Sequence, residues 1–273
     1  MKKTGALAAA MAVAVALAGC GAQTNSGSNT SSGSGQKQDT IVVASNATFP
    51  PFEYAQNGKI VGFDIDMIKE IGKAEHLNVQ IKSVSFDGII PALQAGSVDA
   101  AVAGMTIKKD RMQNVNFSNA YYRSGVSVLT KKGSSIHNLA DLKGHVVATE
   151  TATSSVDVLK KAGITNIKQF SITQDAYNAL ESGGADAVVF DNPSNVLFAK
   201  SHPDVHIVGG LLTGEYYGIA VSKKKPELLK EINDGLKKIQ ENGEYKKLFD
   251  KYFNGDERGM VKGVVSPASV AVQ

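Results

Sequence analysis

The spacing of apolar positions changes from segment to segment along the chain, and those changes mark out its elements. IVVAS (41–45) is a short unbroken apolar run, the texture of a buried strand. In FDIDMIKEIGKAEHL (63–77) the apolar residues return at helical spacing: Ile65, Ile68, Ile71 and Gly72 share a face, and Asp64 is the expected N-cap. NVQIKSV (78–84) alternates as a half-buried strand, FDGIIPALQAG (86–96) is a helix stopped by Gly96, and VDAAVAG (98–104) is another buried strand. Strand, helix, strand, helix, strand is the order of a mostly parallel sheet.

After Tyr121-Tyr122-Arg123 the order begins again. SGVSVLTKK (124–132) reads as a strand, LADLKG (139–144) as a short turn or helix, HVVAT (145–149) as a strand and SVDVLKKAG (155–163) as a helix. NIKQF (166–170), DAYNALESGG (175–184) and DAVVF (186–190) continue as strand, helix and buried strand. YYGIAVS (216–222) reads as a strand returning to the first half. Two amphipathic helices follow, 226–243 opened by Pro226 and closed at Asn242-Gly243, then 244–255. From about Asp256 the pattern weakens, and the end is expected to fray.

An internal repeat supports two similar units. ALQAGSVDAAVAG (92–104) and ALESGGADAVVFD (179–191) share a helix end, a glycine turn and a buried strand, and they align Gly104 with Asp191. In open α/β sheets ligands bind outside the carboxyl ends of the strands, so these two positions are expected at one cleft.

Composition narrows the class. The 273 residues are 42% hydrophobic and 20% charged, enough apolar material for a core. A net charge of +3 without arginine clusters gives no reason to expect nucleic acid. The N-terminus, MKKTGALAAAMAVAVALAGC, has the charged start and small-residue apolar stretch of a secretory signal, residues 1–19. Leu17-Ala18-Gly19-Cys20 resembles the lipobox of bacterial lipoproteins, which implies cleavage before Cys20 and lipid on its sulfur. Cys20 is the single cysteine, so no intrachain disulfide can form. The Ser/Gly/Asn-rich stretch that follows, to residue 39, reads as a flexible tether spanning on the order of 25 Å. The expected location is the outer face of the cytoplasmic membrane.

Several motifs carry a family resemblance. These are Asn46-Ala47-Thr48-Phe49-Pro50-Pro51-Phe52-Glu53, Gly62-Phe63-Asp64-Ile65-Asp66, Phe86-Asp87-Gly88-Ile89-Ile90-Pro91, Ala103-Gly104-Met105-Thr106-Ile107 with Arg111, Tyr121-Tyr122, and Asn242-Gly243 with Tyr245 and Lys251-Tyr252-Phe253. Together they resemble the polar amino-acid-binding proteins of ABC importers, most of all the glutamine-binding ones. The resemblance implies an α/β, two-lobed periplasmic-binding-protein-like fold with the ligand cleft between two mostly parallel sheets. It implies crossovers near 121–125 and 214–218, a first lobe of 40–122 with 217–255, a second of 126–214, and a C-terminal tail of 256–273.

The same resemblance assigns roles. Arg111 would pair with the ligand carboxylate, for which a guanidinium fork is suited. Asp191 would receive the α-ammonium, Thr106 would hydrogen-bond the ligand, and Phe49 and Phe86 would sandwich its side chain. Gly104, lacking a Cβ, and Thr106 would form a strand-end ledge, Met105 between them is counted with the binding residues, and Thr153 and Ser154 would present a helix N-terminus. Asn46, Glu150 and Phe190 depart from the glutamine-binding pattern, where Asp, Lys and His are usual. They surround the ligand side chain and favour a polar uncharged or basic amino acid, glutamine first, over an acidic one. Lys108 and Lys109 are expected to be solvated. His202 and His206 are spaced like metal ligands, but Pro203 breaks the helix between them, and no metal or cofactor is expected. No G-x-S-x-G, Walker A or H-E-x-x-H pattern occurs. A non-catalytic, monomeric receptor delivering an amino acid to a permease is therefore the leading expectation, with a dehydratase-like enzyme on the same fold and a sensory domain as alternatives.

Overall fold

The structure, a computed structural model, describes residues 39–272. The signal segment, Cys20 and nearly all of the tether lie outside the described residues. Two five-stranded sheets organise the chain. In the first the order is Leu77–Ser83, Asp39–Ser45, Ala100–Ala101, Ala220–Val221, Asn116–Phe117. Asp39–Ser45 runs parallel to both neighbours, and Ala220–Val221 is antiparallel to both of its own. In the second the order is Ile167–Phe170, Val147–Glu150, Ala187–Asp191, Val126–Lys131, Val205–Leu211. The first three strands are parallel, and Val126–Lys131 is antiparallel to its neighbours. Each sheet thus has a parallel core with the first strand in the middle, then one reversed strand.

The reversed strands have a common origin. Tyr122–Ser124 pairs with Glu215–Tyr217 in a two-stranded antiparallel ribbon. One ribbon strand continues into Val126–Lys131 of the second sheet, the other into Ala220–Val221 of the first. A chain that has just crossed enters each sheet against the direction of its parallel core.

Aromatic packing fixes the ribbon against the first sheet. Tyr122 stacks on Tyr217 at 5.5 Å and meets Phe52 edge-on at 4.8 Å, and Phe249 and Phe253 close over it. Phe52, Phe63 and Phe249 are fully buried; each contributes roughly 1.5–3 kcal/mol of transfer free energy. Helix Phe63–Ala74 turns Phe63, Ile65, Met67, Ile68 and Ile71 inward, and helices Pro226–Glu241 and Glu244–Phe253 pack on it.

Three expectations need correction here. Asp64 is not an N-cap. Helix Phe63–Ala74 begins two residues earlier than that cap would allow, after Gly62, and the Asp64 side chain is fully buried. The carboxyl end does not fray. A short helix, Pro267–Val270, is followed by Val272, whose N–H donates to the Ile107 carbonyl at 3.1 Å, while the Ala120 N–H donates to the Val265 carbonyl at 2.9 Å. The segment docks by these backbone hydrogen bonds together with unevenly spaced apolar residues, Val261, Val265, Val270 and Ala271, which is why no regular period marks it. Lys108 is not solvated: it is 6% exposed, held between Asp110 and Asp157, whereas Lys109 is exposed.

Candidate ligand-binding site

The carboxyl ends of the parallel strands converge from both sheets. Just beyond Asp39–Ser45 lies Asn46, and beyond Ala100–Ala101 lies the stretch to Thr106; Val147–Glu150 and Ala187–Asp191 end on Glu150 and Asp191 themselves. These ends, with Phe49, Glu53, Phe86, Arg111, Thr153, Ser154 and Phe190, line one narrow cavity of about 20 Å³. Eleven of the twelve expected binding residues therefore meet. Met105 does not line the cavity: it is 1% exposed and packs with Leu93, Ile107 and Phe117, because side chains alternate along the extended segment and place it on the core side.

The first-sheet side is built around Gly104. Its φ of 51° lies in the left-handed region, and a Cβ there would come within 2.4 Å of the Phe49 ring. Its N–H donates to Asp64 Oδ2 at 2.9 Å, and the Tyr121 hydroxyl donates to the same oxygen at 2.7 Å. This is why Asp64 is buried at a helix start. Glu53, also fully buried, lies behind it. Among the described residues no N–H or hydroxyl donor reaches either Glu53 oxygen or Asp64 Oδ1, so the two carboxyls coexist by sharing a proton. Burial, then Asp64, hold Glu53 well above the usual carboxylate range, while burial brings Asp64 only to about 6 against the bonds it accepts. Glu53 keeps the proton and Asp64 holds the Gly104 ledge.

Arg111, 5% exposed, rises from the short helix Lys109–Met112. Nη1 donates to the Thr106 carbonyl and Nη2 to the Ala152 carbonyl of the opposite lobe, each at 2.8 Å, and the guanidinium lies 5.3 Å from the centre of the Phe86 ring. Burial lowers its pKa, and Asp110, Glu215, Asp191 and Asp157 oppose that.

On the second-sheet side Asp191 accepts a hydrogen bond from the Tyr217 hydroxyl, which also contacts Ser124 Oγ at 2.8 Å. Burial first, then Glu215, push Asp191 up to about 8. Glu150 accepts from Asn46 Nδ2 at 3.1 Å, a bond across the cleft, and from the Thr173 hydroxyl; burial raises it to about 7. Thr153 takes the N-cap position of helix Ser154–Lys161, but its hydroxyl donates backwards to the Glu150 carbonyl at 2.7 Å. Phe190 meets Phe49 edge-on at 5.6 Å.

Glu215 was not picked out by sequence. Standing on the ribbon and 1% exposed, it accepts from Thr106 Oγ1 and Ser154 Oγ at 2.8 Å each and from Thr213 Oγ1 at 2.9 Å, joining both lobes where the ribbon passes between them. Glu53 and Tyr217 were likewise missed as members of the site, since a lone acid or tyrosine in an apolar context carries no spacing signal.

The chain resembles known proteins over most of its length. A glutamine-binding protein of an ABC transporter from Bacillus subtilis (strain 168) is 39% identical over 205 residues, 73% of this chain and 75% of that one. An ancestral arginine-binding protein, solved bound to glutamine and bound to arginine, is 43% identical with a TM-score of 0.76 in both forms; the glutamine-bound form is matched over 80% of this chain and 99% of its own, the arginine-bound form over 79% and 99%. An ancestral amino acid-binding protein that is a precursor of cyclohexadienyl dehydratase is 37% identical, TM-score 0.73, over 78% of this chain and 95% of its own. With the match of residues 41–255 to the family profile, the two-lobed architecture and its cleft identify the chain as a member of the bacterial extracellular solute-binding proteins, family 3.

Proposed function

We propose that the chain is an extracytoplasmic receptor that captures a polar, non-acidic L-amino acid, glutamine first, and delivers it to the permease of an ABC importer. It acts as a monomer held at the outer face of the cytoplasmic membrane by lipid on Cys20. The observation that carries this reading is a buried cation, Arg111, from the first-sheet side and a buried acid, Asp191, from the second, facing one pocket walled by Phe49, Phe86 and Phe190. That is the charge pattern of a zwitterion's complement. Two protein carbonyls use two of Arg111's five N–H donors, which leaves three, enough for a bidentate pair to the ligand carboxylate. The ligand ammonium would rest on Asp191, and the aromatic rings would cover the side chain.

The cleft widens to admit ligand and closes on it. Contacts from both lobes exist only in the closed form, so the ligand shifts the population toward it. Micromolar affinity requires about −8 kcal/mol. Two or three charge-assisted bonds of roughly 1.5–3 kcal/mol each, with aromatic burial, reach that value. At the distal end Asn46 can donate to a glutamine amide oxygen and Glu150 can accept from its NH₂. A second reading, arginine or lysine, is favoured by a specific imbalance: besides the protonated Glu53, two further acids, Glu150 and Asp191, face one arginine. Ligand carboxylates are disfavoured beside Glu150. A dehydratase needs a positioned acid and base; the Arg111–Asp191 arrangement instead holds both α-groups of an amino acid in place.

A calorimetric screen of the twenty amino acids tests the reading, with ligand recovered unchanged. Arg111→Ala should abolish binding of every α-amino acid alike. Normal binding by that variant, or glutamate bound as tightly as glutamine, arginine and lysine, would overturn it. Mass spectrometry of the exported protein tests the acylation of Cys20.

A further inference from the structure

Lys108 lies beside the pocket without lining it. Its ammonium forms an ion pair with Asp157, on helix Ser154–Lys161 of the opposite lobe, and lies 3.2 Å from Asp110 Oδ2 in its own lobe. The Lys108 side chain is 7% exposed and that of Asp157 38%. Its backbone is also held. Val272 bridges Lys108 in parallel fashion, accepts from the Lys109 N–H at 2.9 Å and donates to the Ile107 carbonyl at 3.1 Å. Val272 belongs to a segment beyond the family match at residues 41–255. The same segment bridges Tyr122 through Met260 and holds Ala120 through Val265, at the entry to the ribbon.

We propose that Lys108 and Asp157 form a latch across the rim of the cleft, set in register by the carboxyl-terminal segment, that slows release of any ligand the pocket accepts. The proposal rests on the receptor reading above. A lysine this buried pays a desolvation cost that only close carboxylates offset. Asp110 travels with Lys108 in the same lobe, whereas Asp157 reaches it only when the lobes meet. The Asp157 pair therefore stabilises the closed form alone, and a contribution of that kind multiplies affinity without regard to ligand chemistry. Lys108 is thus a positioning residue, acting through lobe closure.

The test is stopped-flow ligand release from the mature chain carrying Cys20→Ser, with glutamine and with arginine. Lys108→Met and Asp157→Asn should each speed dissociation about tenfold, equivalent to about 1.4 kcal/mol, by the same factor for both ligands and with association within about twofold. The double charge swap, Lys108→Asp with Asp157→Lys, should recover most of the loss, which a purely structural role would not. Val272→Pro, which removes one N–H donor, should give a smaller change of the same kind. Unchanged dissociation, ligand-dependent factors or no recovery in the swap would overturn the latch. Should the parent bind neither ligand, the receptor reading fails separately. The latch is then read from inter-lobe distances between spin labels at Lys69→Cys and Asp175→Cys, where Asp157→Asn should lower the closed fraction and an unchanged distribution would refute it.

Discussion

Amino-acid binding should release protons, and their number should identify the ligand class. With protein groups alone around it, Asp191 holds its proton up to about pH 8, because burial and Glu215 outweigh the Tyr217 hydroxyl and Arg111. At pH 6.5 it is then about 97% protonated, and Glu150, raised to about 7, about 76%. An ammonium set against Asp191 favours the carboxylate and expels its proton. A ligand with a neutral side chain leaves Glu150 unchanged, so glutamine should release about 1 proton at pH 6.5. Arginine or lysine would also ionise Glu150 and release about 1.7.

The assay is titration calorimetry at pH 6.5 in buffers of different ionisation enthalpy. The slope of observed enthalpy against buffer enthalpy is the proton count. Asp191→Asn should lower the count by about one for any ligand, and Glu150→Gln should bring arginine down to about one. Expelling the proton also weakens binding below pH 8, so affinity for glutamine should rise roughly tenfold from pH 6.5 to 8. A slope below about 0.3 proton, or the same slope in Asp191→Asn, would refute the placement of the ligand ammonium.

The same groups set the pH dependence of folding. Asp64, Glu150 and Asp191 have native pKa values near 6, 7 and 8, above their unfolded values, so the native state binds more protons and their contribution to stability is present at low pH and lost as pH rises through those values. The urea midpoint without ligand should fall between pH 5 and pH 8; a rising midpoint would contradict this. Gly104→Ala adds a Cβ 2.4 Å from the Phe49 ring at a φ of 51°. Left-handed strain and overpacking together cost about 3 kcal/mol, a loss of about 6–12 °C in Tm for a domain of this size, which differential scanning calorimetry reads directly. Arg111→Lys keeps the charge but loses the fork, and should weaken every amino acid by roughly 10–100-fold in calorimetry, in keeping with about 1.5–3 kcal/mol for a charge-assisted bond. Glu150→Lys should reverse the ordering of basic against acidic ligands while leaving stereoselectivity for the L-form intact.

What was legible in the sequence and what was not divides along a physical line. The parallel sheet cores, their connecting helices and the pairing of Gly104 with Asp191 follow from periodicity and repetition, which are local or self-similar signals. The misread residues owe their environment to partners far away in the chain. Asp64 looks like a helix cap because acids usually serve there; it is buried because Gly104, forty positions on, needs an acceptor for its N–H. Lys108 looks solvated in a run of charges, yet its neighbours are Asp157 and the chain end at Val272. Glu53 and Glu215 sit alone in apolar or mixed surroundings, where no spacing marks them. These four have one thing in common: each is an ionisable group taken out of water beside the cleft or on the ribbon. Such burial costs several kcal/mol per ion unless it is paired or protonated. For Glu215 and Lys108 the partners come from both lobes, so part of the compensation exists only when the lobes meet. Two of the positions least readable from sequence, Glu215 and Lys108, are therefore ones that bridge the lobes, and substitutions at Glu215 should change the open–closed balance more than the fold.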